Sequence, residues 1–149
     1  MSVRLVDVYH GGKVARGAIE FLYELLAERP QDANISHGAM PTMEQHRQFV
    51  HRRPYRAWLL VENADGIRVG AVYLTDRNEV GVAILRQFNR QGLARAALRA
   101  LMMAFQPEEP IPAVRPAKFV AHINPANAAS IALFEGLGAR HIASTYELP

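Results

Sequence analysis

The residues best placed to do chemistry lie in one run, Glu79-Val80-Gly81-Val82-Ala83-Ile84-Leu85-Arg86-Gln87-Phe88-Asn89-Arg90-Gln91-Gly92-Leu93-Ala94-Arg95. Arg86, Arg90 and Arg95 ring a stretch without an acidic residue, and Gly92 and Ala94 are small where a backbone could come close to a ligand. Val80, Val82, Ile84 and Leu85 are apolar and too few for a helix, so they predict a short buried strand. Gly81 interrupts it, as glycine does where a strand bends or another group comes close. From Gly92 the period changes, and Ala94, Ala97, Leu98, Leu101, Met102 and Phe105 share one helical face. A loop feeding a helix aims unpaired N–H groups along the axis, where the macrodipole adds positive potential. The stretch therefore reads as an anion site that a diphosphate would fit. The plainer alternative is a tight strand-to-helix turn of any α/β domain.

The elements that must position this run follow from the rest of the chain. At 149 residues, half of them apolar, it is long enough to bury roughly two thirds of its unfolded surface, and we expect one domain over 1–149. Net charge is a mild +3, almost wholly from arginine, which suits small polyanions and is too weak to argue for nucleic acid. Cysteine is absent, so disulfides, thiolate nucleophiles and Cys-type zinc sites are excluded. None of the six histidines lies at a ligand-pair spacing with an acidic third, so no metal is expected. No apolar run reaches membrane-span length, Met1–His10 alternates like a strand, and the expected address is the cytoplasm without a membrane partner.

Val3–Tyr9 predicts a first strand closed by Gly11-Gly12, and Val14–Arg29 an amphipathic helix stopped by Pro30. Asn34 and His37 lie in a polar loop, facing either a substrate or water. Thr42-Met43-Glu44-Gln45 fits a capping box that opens a short helix, in which His46 reads as packed rather than ligating. His51, Arg52, Arg53 and Arg56 are the densest basic cluster, either a solvated helix end or a grip on a substrate phosphate. Ala57–Glu62 and Val69–Thr75 predict a hairpin across Asn63-Ala64-Asp65-Gly66. Pro107–Pro116 reads as a surface crossing, Lys118–Ile123 as a strand, and Arg140–Leu148 as one or two closing strands. Between these last two lies a helix capped by Asn127 and ended by Gly138.

Asn89-Arg90-Gln91-Gly92-Leu93-Ala94 resembles the acyl-CoA signature of the GNAT superfamily of N-acetyltransferases, Arg/Gln-x-x-Gly-x-Gly/Ala. Asn89 stands where arginine or glutamine is usual, and Arg90 where many members have glycine. The helix after Asn124-Pro125 resembles the family's other signature: Asn127, Ser130, Leu133, Glu135 and Gly138 match, while Gly136 and Ala139 depart from lysine and phenylalanine. Two blocks in the right order cover roughly the C-terminal half. Within the family the chain is most similar to ribosomal-protein and amino-sugar acetyltransferases.

The resemblance implies an α/β (α+β) fold with a mixed, mostly antiparallel sheet of six to seven strands, about four flanking helices, and a splay between the fourth and fifth strands. It implies acetyl-CoA as cosubstrate, held by Ala83, Ile84, Leu85, Gln91, Gly92, Leu93, Ala94 and Arg95 in the first block. Asn124, Asn127, Ser130 and Phe134 would line it from the second. It also implies an oxyanion donor among the backbone amides of Ala83 to Leu85, for which Leu85 is the candidate. Phe134 lacks the hydroxyl that many members use to protonate the leaving thiolate, and Tyr73 and Tyr146 are the spare phenols, or simply pack. Glu79 is the candidate base, against the reading of a strand-edge glutamate hydrogen bonded to its neighbours. His37, Arg53 and Tyr55 are the candidate acceptor contacts. The implied activity is acetyl transfer to a primary amine of a small molecule, with a nucleotide-linked amino sugar in view, by a monomer or homodimer. The alternatives are protein N-terminal acetylation and a non-catalytic acyl-CoA sensor.

Overall fold

The computed structural model describes residues 2–29 and 39–149. Its centre is the hairpin the sequence marks most strongly, β4 (Ala57–Glu62) and β5 (Arg68–Leu74), whose side chains are almost all buried. Asn63 closes the turn by accepting the N–H groups of Asp65 and Ile67, each at 3.0 Å. Gly66 supplies the left-handed residue, φ 75°. β1 (Arg4–Asp7) pairs antiparallel with β4, and β6 (Val80–Ile84) antiparallel with β5, giving the order β1-β4-β5-β6.

Both faces of this sheet are covered. On one, α1 (Ala18–Ala27) and α2 (Met43–His51) bury Ala18, Ile19, Leu22, Leu25 and Val50 against Val8, Trp58, Leu60, Ala71 and Leu85. On the other, α3 (Leu93–Ala104) buries Leu93, Ala97, Leu98 and Leu101, a spacing of one helical face. Each buried leucine there contributes roughly 1.5–3 kcal/mol. Met102, expected on the same face, is exposed at the edge of the stripe. α4 (Ala128–Gly136) has no fully buried residue and leans Leu133 and Phe134 on the α3 side. The Thr42 capping box forms as expected, and His46 is packed, with Nε2 2.9 Å from the Ile19 carbonyl.

Three expectations are corrected. The first helix begins at Ala18, because Lys13–Val14 (β3) instead pairs with Tyr9–His10 (β2) across Gly11-Gly12, and Gly17 at φ 74° breaks the chain before the helix. Lys118–Ile123 joins the sheet only through an isolated parallel bridge between Glu79 and Val120. Arg140–Leu148 forms no strand, and Ile142, Tyr146 and Leu148, which gave the apolar signal, are 64%, 85% and 84% exposed. Among the described residues the central sheet thus has four strands rather than six or seven, with four α-helices, as expected.

Candidate active site

The register of β6 decides which amides face the sheet. Leu85 N–H donates to the Val69 carbonyl at 2.8 Å, whereas Val80 N–H turns the other way, to Val120 at 2.8 Å. Alternation then sends the amides of Gly81 and Ala83 into β5 and those of Val82 and Ile84 outward. Beyond Val120 the following segment leaves β6, so the outward amides of Val82 and Ile84 have no acceptor among the described residues. The result is a fork, closed at Glu79–Val80 and open at Val82–Ile84.

The closed end is fixed by Asn78, which is fully buried and held at φ 63°. Its Nδ2 donates to the carbonyls of Glu108 (3.0 Å) and Pro116 (2.8 Å), and its Oδ1 accepts the Glu108 N–H at 2.8 Å. Its own carbonyl accepts the Val120 N–H at 2.8 Å. One side chain therefore ties the proline-rich crossing to the vertex of the fork.

Beyond the open end, a 3-10 turn at Arg86–Phe88 leads into α3. Among the described residues, the N–H groups of residues 90–95 have no protein acceptor; the next amide, Ala96, bonds to Gly92. Gly92 is the N-cap at φ 73°, and Arg90, which stands at the position where glycine was expected, is also left-handed at φ 63°. The loop thus presents a row of unclaimed amides at the positive end of a 12-residue helix. Arg86 does not join it, since its amide donates to Glu28 Oε1 at 2.7 Å and its guanidinium to the Glu28 carbonyl. Arg95 reaches α4 instead, where a Cβ on Gly136 would strike its guanidinium, so glycine at that position makes room for the arginine.

On the opposite bank, Asn124 Oδ1 accepts the Ala126 N–H at 2.9 Å and Asn127 Oδ1 caps α4 through the Ser130 N–H at 3.1 Å. The Asn127 NH₂ has no acceptor among the described residues. Phe134 packs partly buried.

On the α1/α2 side of the fork the structure gathers groups that the sequence left apart. Glu79 Oε1 lies 3.3 Å from His122 Nε2 on the departing segment, a partner not evident from spacing. Tyr73 crosses Gly81: a Cβ there would overlap its Cε1, Cζ and hydroxyl, which is the close approach that demands glycine. Tyr73 stacks on Tyr55 at 4.3 Å, and Tyr55 meets Trp58 edge-on at 4.8 Å. Burial pushes the Tyr73 phenol above its ordinary pKa, with Arg29 pulling back and Glu79 adding to the rise. Burial, then Tyr73, push Tyr55 up as well. Both phenols hold their protons at neutral pH.

Other candidates fall elsewhere. Leu85 cannot be the oxyanion donor, because its amide is spent on Val69 and its side chain is core. Ala83 likewise turns its amide inward, leaving Ile84 and, newly, Val82 at the open edge. Arg53 stacks over Tyr9 at 4.5 Å and lines a separate cavity of about 500 Å³ with Lys13, Arg16 and His51, beside the β2–β3 hairpin. Arg56 pairs with Glu108 at 3.1 Å and donates to the Gln106 carbonyl. Tyr146 is exposed on the C-terminal tail. Asn34 and His37 lie outside the described residues. Among the described residues no cluster could hold a metal ion, and no helix is long and apolar enough to cross a membrane.

Residues 16–140 match the family model described as acetyltransferase (GNAT) domain. Among solved structures, a domain from Methanocaldococcus jannaschii DSM 2661 is similar with a TM-score of 0.75 at 17% identity, covering 98% of this chain and 93% of that one. yncA from Salmonella typhimurium, solved with its cofactor acetyl-CoA, gives a TM-score of 0.61 at 23% identity, over 93% and 78% of the two chains. Spermidine N-acetyltransferase SpeG from Vibrio cholerae gives 0.61 at 20% identity, over 91% and 78%. Among curated protein sequences none matches the chain.

Proposed function

The chain belongs to the GNAT acetyltransferase family, and from that premise we propose that it moves the acetyl group of acetyl-CoA directly to a primary amine of a small molecule while both are bound. The observation that carries this reading is the row of unclaimed amides at 90–95 beside a strand whose edge opens at Val82 and Ile84. The first suits a diphosphate. The second suits an arm rich in amides, which can pair along a strand edge as a further strand would. Asn127 and Asn124 on the opposite bank offer carboxamides to the same arm.

Acetyl-CoA supplies an acyl carbon already activated as a thioester. The protein has to hold an amine in line with it, which in well-oriented systems is worth roughly 7–11 kcal/mol. It also has to offer a donor where oxygen gains charge; Val82 or Ile84 N–H takes this role, worth about 10²–10³ in rate for such donors. An alkylammonium loses its proton near pKa ~10.4, so a neutral amine at pH 7 costs about 4–5 kcal/mol. Glu79, paired with His122, is the group beside the fork that can accept that proton.

The same wall bears on the acceptor. The Glu79 carboxylate beside the apolar stack of Tyr55 and Tyr73 favours a cationic amine on an apolar stem. The Vibrio cholerae neighbour is a spermidine N-acetyltransferase, an enzyme for an amine of this kind. A nucleotide-linked amino sugar would need arginines on its diphosphate, and Arg53 and Arg56 are engaged elsewhere, with Tyr9 and Glu108.

The test is thiol release from acetyl-CoA with spermidine, a free amino sugar, a nucleotide-linked amino sugar and a short peptide. Turnover is expected with at least the simple amine. Release no faster than the hydrolysis of acetyl-CoA alone, with every acceptor, overturns the enzyme reading in favour of an acyl-CoA sensor.

A further inference from the structure

We infer that the cavity beside the β2–β3 hairpin is a second ligand site, built for a phosphorylated sugar. None of its lining residues belongs to the fork, to the loop at 90–95 or to α4, and the hairpin follows β1, the edge strand opposite β6. The inference therefore goes beyond acetyl transfer and stands without it.

Charge is the first argument. Lys13 enters the cavity from the hairpin, Arg16 from the turn before α1 and Arg53 from the residues after α2, with His51 beside them and a single carboxylate, Glu20, against them. Among the described residues Lys13, Arg16 and Arg53 have no acidic partner. Like charges brought together from three segments repel one another, and a concave wall concentrates their potential on whatever enters.

One of the three is also held in place. Arg53 is left-handed at φ 50°, a conformation that costs a residue with a side chain free energy, and its guanidinium lies over the Tyr9 ring at 4.5 Å. The Tyr9 hydroxyl donates to the Val50 carbonyl at 2.6 Å, and the Arg53 N–H donates to the same carbonyl at 3.2 Å. The stack covers one face of the guanidinium and leaves its in-plane donors, which have no acceptor among the described residues, for a ligand. Main chain adds to what the side chains define. α1 starts after Gly17 without a side-chain cap, and the N–H groups of Ile19 and Glu20 have no acceptor among the described residues.

The lining selects the ligand. Three cations against one carboxylate match a phosphate monoester, which carries about 1.5–2 negative charges at pH 7. A volume of about 500 Å³ suits a small organic molecule and is far more than phosphate fills, so the phosphate carries a body. Glu20 would repel an acidic body but accepts hydroxyl groups, and Val14 and Ile19 give the sugar carbons an apolar wall. A sugar phosphate offers these groups either free or as a nucleoside monophosphate.

The test is a titration of ¹⁵N-labelled protein with ribose 5-phosphate, AMP, ribose and inorganic phosphate. Ribose 5-phosphate should move the amides of Gly12, Gly17 and Glu20, and ribose at the same concentration should not. Lys13→Glu, at an exposed position, should weaken that binding at least about tenfold, whereas Gly92→Val in the acetyl-CoA loop should leave it within about twofold. Tighter binding of AMP supports the site with a nucleotide as its source, and equal or weaker binding supports it with a free sugar phosphate. No movement of these amides at about 10 mM, or binding unchanged by Lys13→Glu, or binding lost in Gly92→Val, overturns the site. Inorganic phosphate binding as tightly as ribose 5-phosphate overturns the assignment to a sugar. Failure to acetylate any amine bears on the fork alone and leaves these shifts as they are.

Discussion

The two ends of β6, a strand of five residues, are built on opposite rules. At the closed end the fork is tied by hydrogen bonds: Val80 N–H to Val120, Val120 N–H to the Asn78 carbonyl, and the Asn78 carboxamide to Glu108 and Pro116. At the open end the amides of Val82, Ile84 and residues 90–95 have no acceptor among the described residues, although the side chains of Val82, Ile84 and Leu93 pack in the core. Backbone groups left idle at a sheet edge are an invitation to pair with something else. Their placement next to a vertex tied by Asn78 and Val120 means that the opening is set by the hydrogen bonds, not by looseness.

The sharpest way to break the contrast is at its vertex. Asn78→Leu removes three side-chain bonds and leaves buried main-chain groups unpaired, at a residue held at φ 63°. We expect a loss of about 3–5 kcal/mol in urea unfolding. A loss below about 1 kcal/mol would show that the closed end is not what it seems. Proline separates the ends within one strand. Val80→Pro deletes the N–H that bonds to Val120 and should destabilise by about 3 kcal/mol. Val82→Pro deletes an outward N–H and should cost much less in melting experiments, yet lower acetyl transfer about 100-fold. Equal stability losses at the two positions would contradict the assigned register.

Smaller effects belong to the loop. Gly92→Val forces a branched side chain into φ 73° and should weaken CoA binding more than tenfold, about 1.4 kcal/mol or more, by calorimetry. Arg90→Glu changes charge without closing the amide row; a reduction of about tenfold, shrinking as salt is raised, is expected in the same assay. If Arg90→Glu were the more damaging of the two, charge rather than main-chain shape would govern the site.

Much of this is legible in the sequence. The Thr42 cap, the β4–β5 hairpin, the helix start at Gly92 and the Asn127 cap are local, each set by residues within a few positions of one another. What was missed depends on contacts distant in the chain. Leu85 looked like the oxyanion donor because the run Ala83–Leu85 gives no parity; parity comes from Val69 and Val120. His122 meets Glu79 only because the segment after the proline-rich crossing docks at the vertex. The expected strand over Arg140–Leu148 had the right apolar alternation and no neighbouring edge to bond to. Gly136 departs from the family pattern for a reason no local rule contains, the guanidinium of Arg95.

Asn78 grips the long crossing solely through main-chain atoms of Glu108 and Pro116. A contact of that kind is indifferent to which side chains the crossing carries but strict about its path. Extra residues spliced between Ile111 and Arg115 would be looped outward with the jaw unaltered, whereas one residue removed between Pro116 and Val120 would drag one jaw out of step with the other.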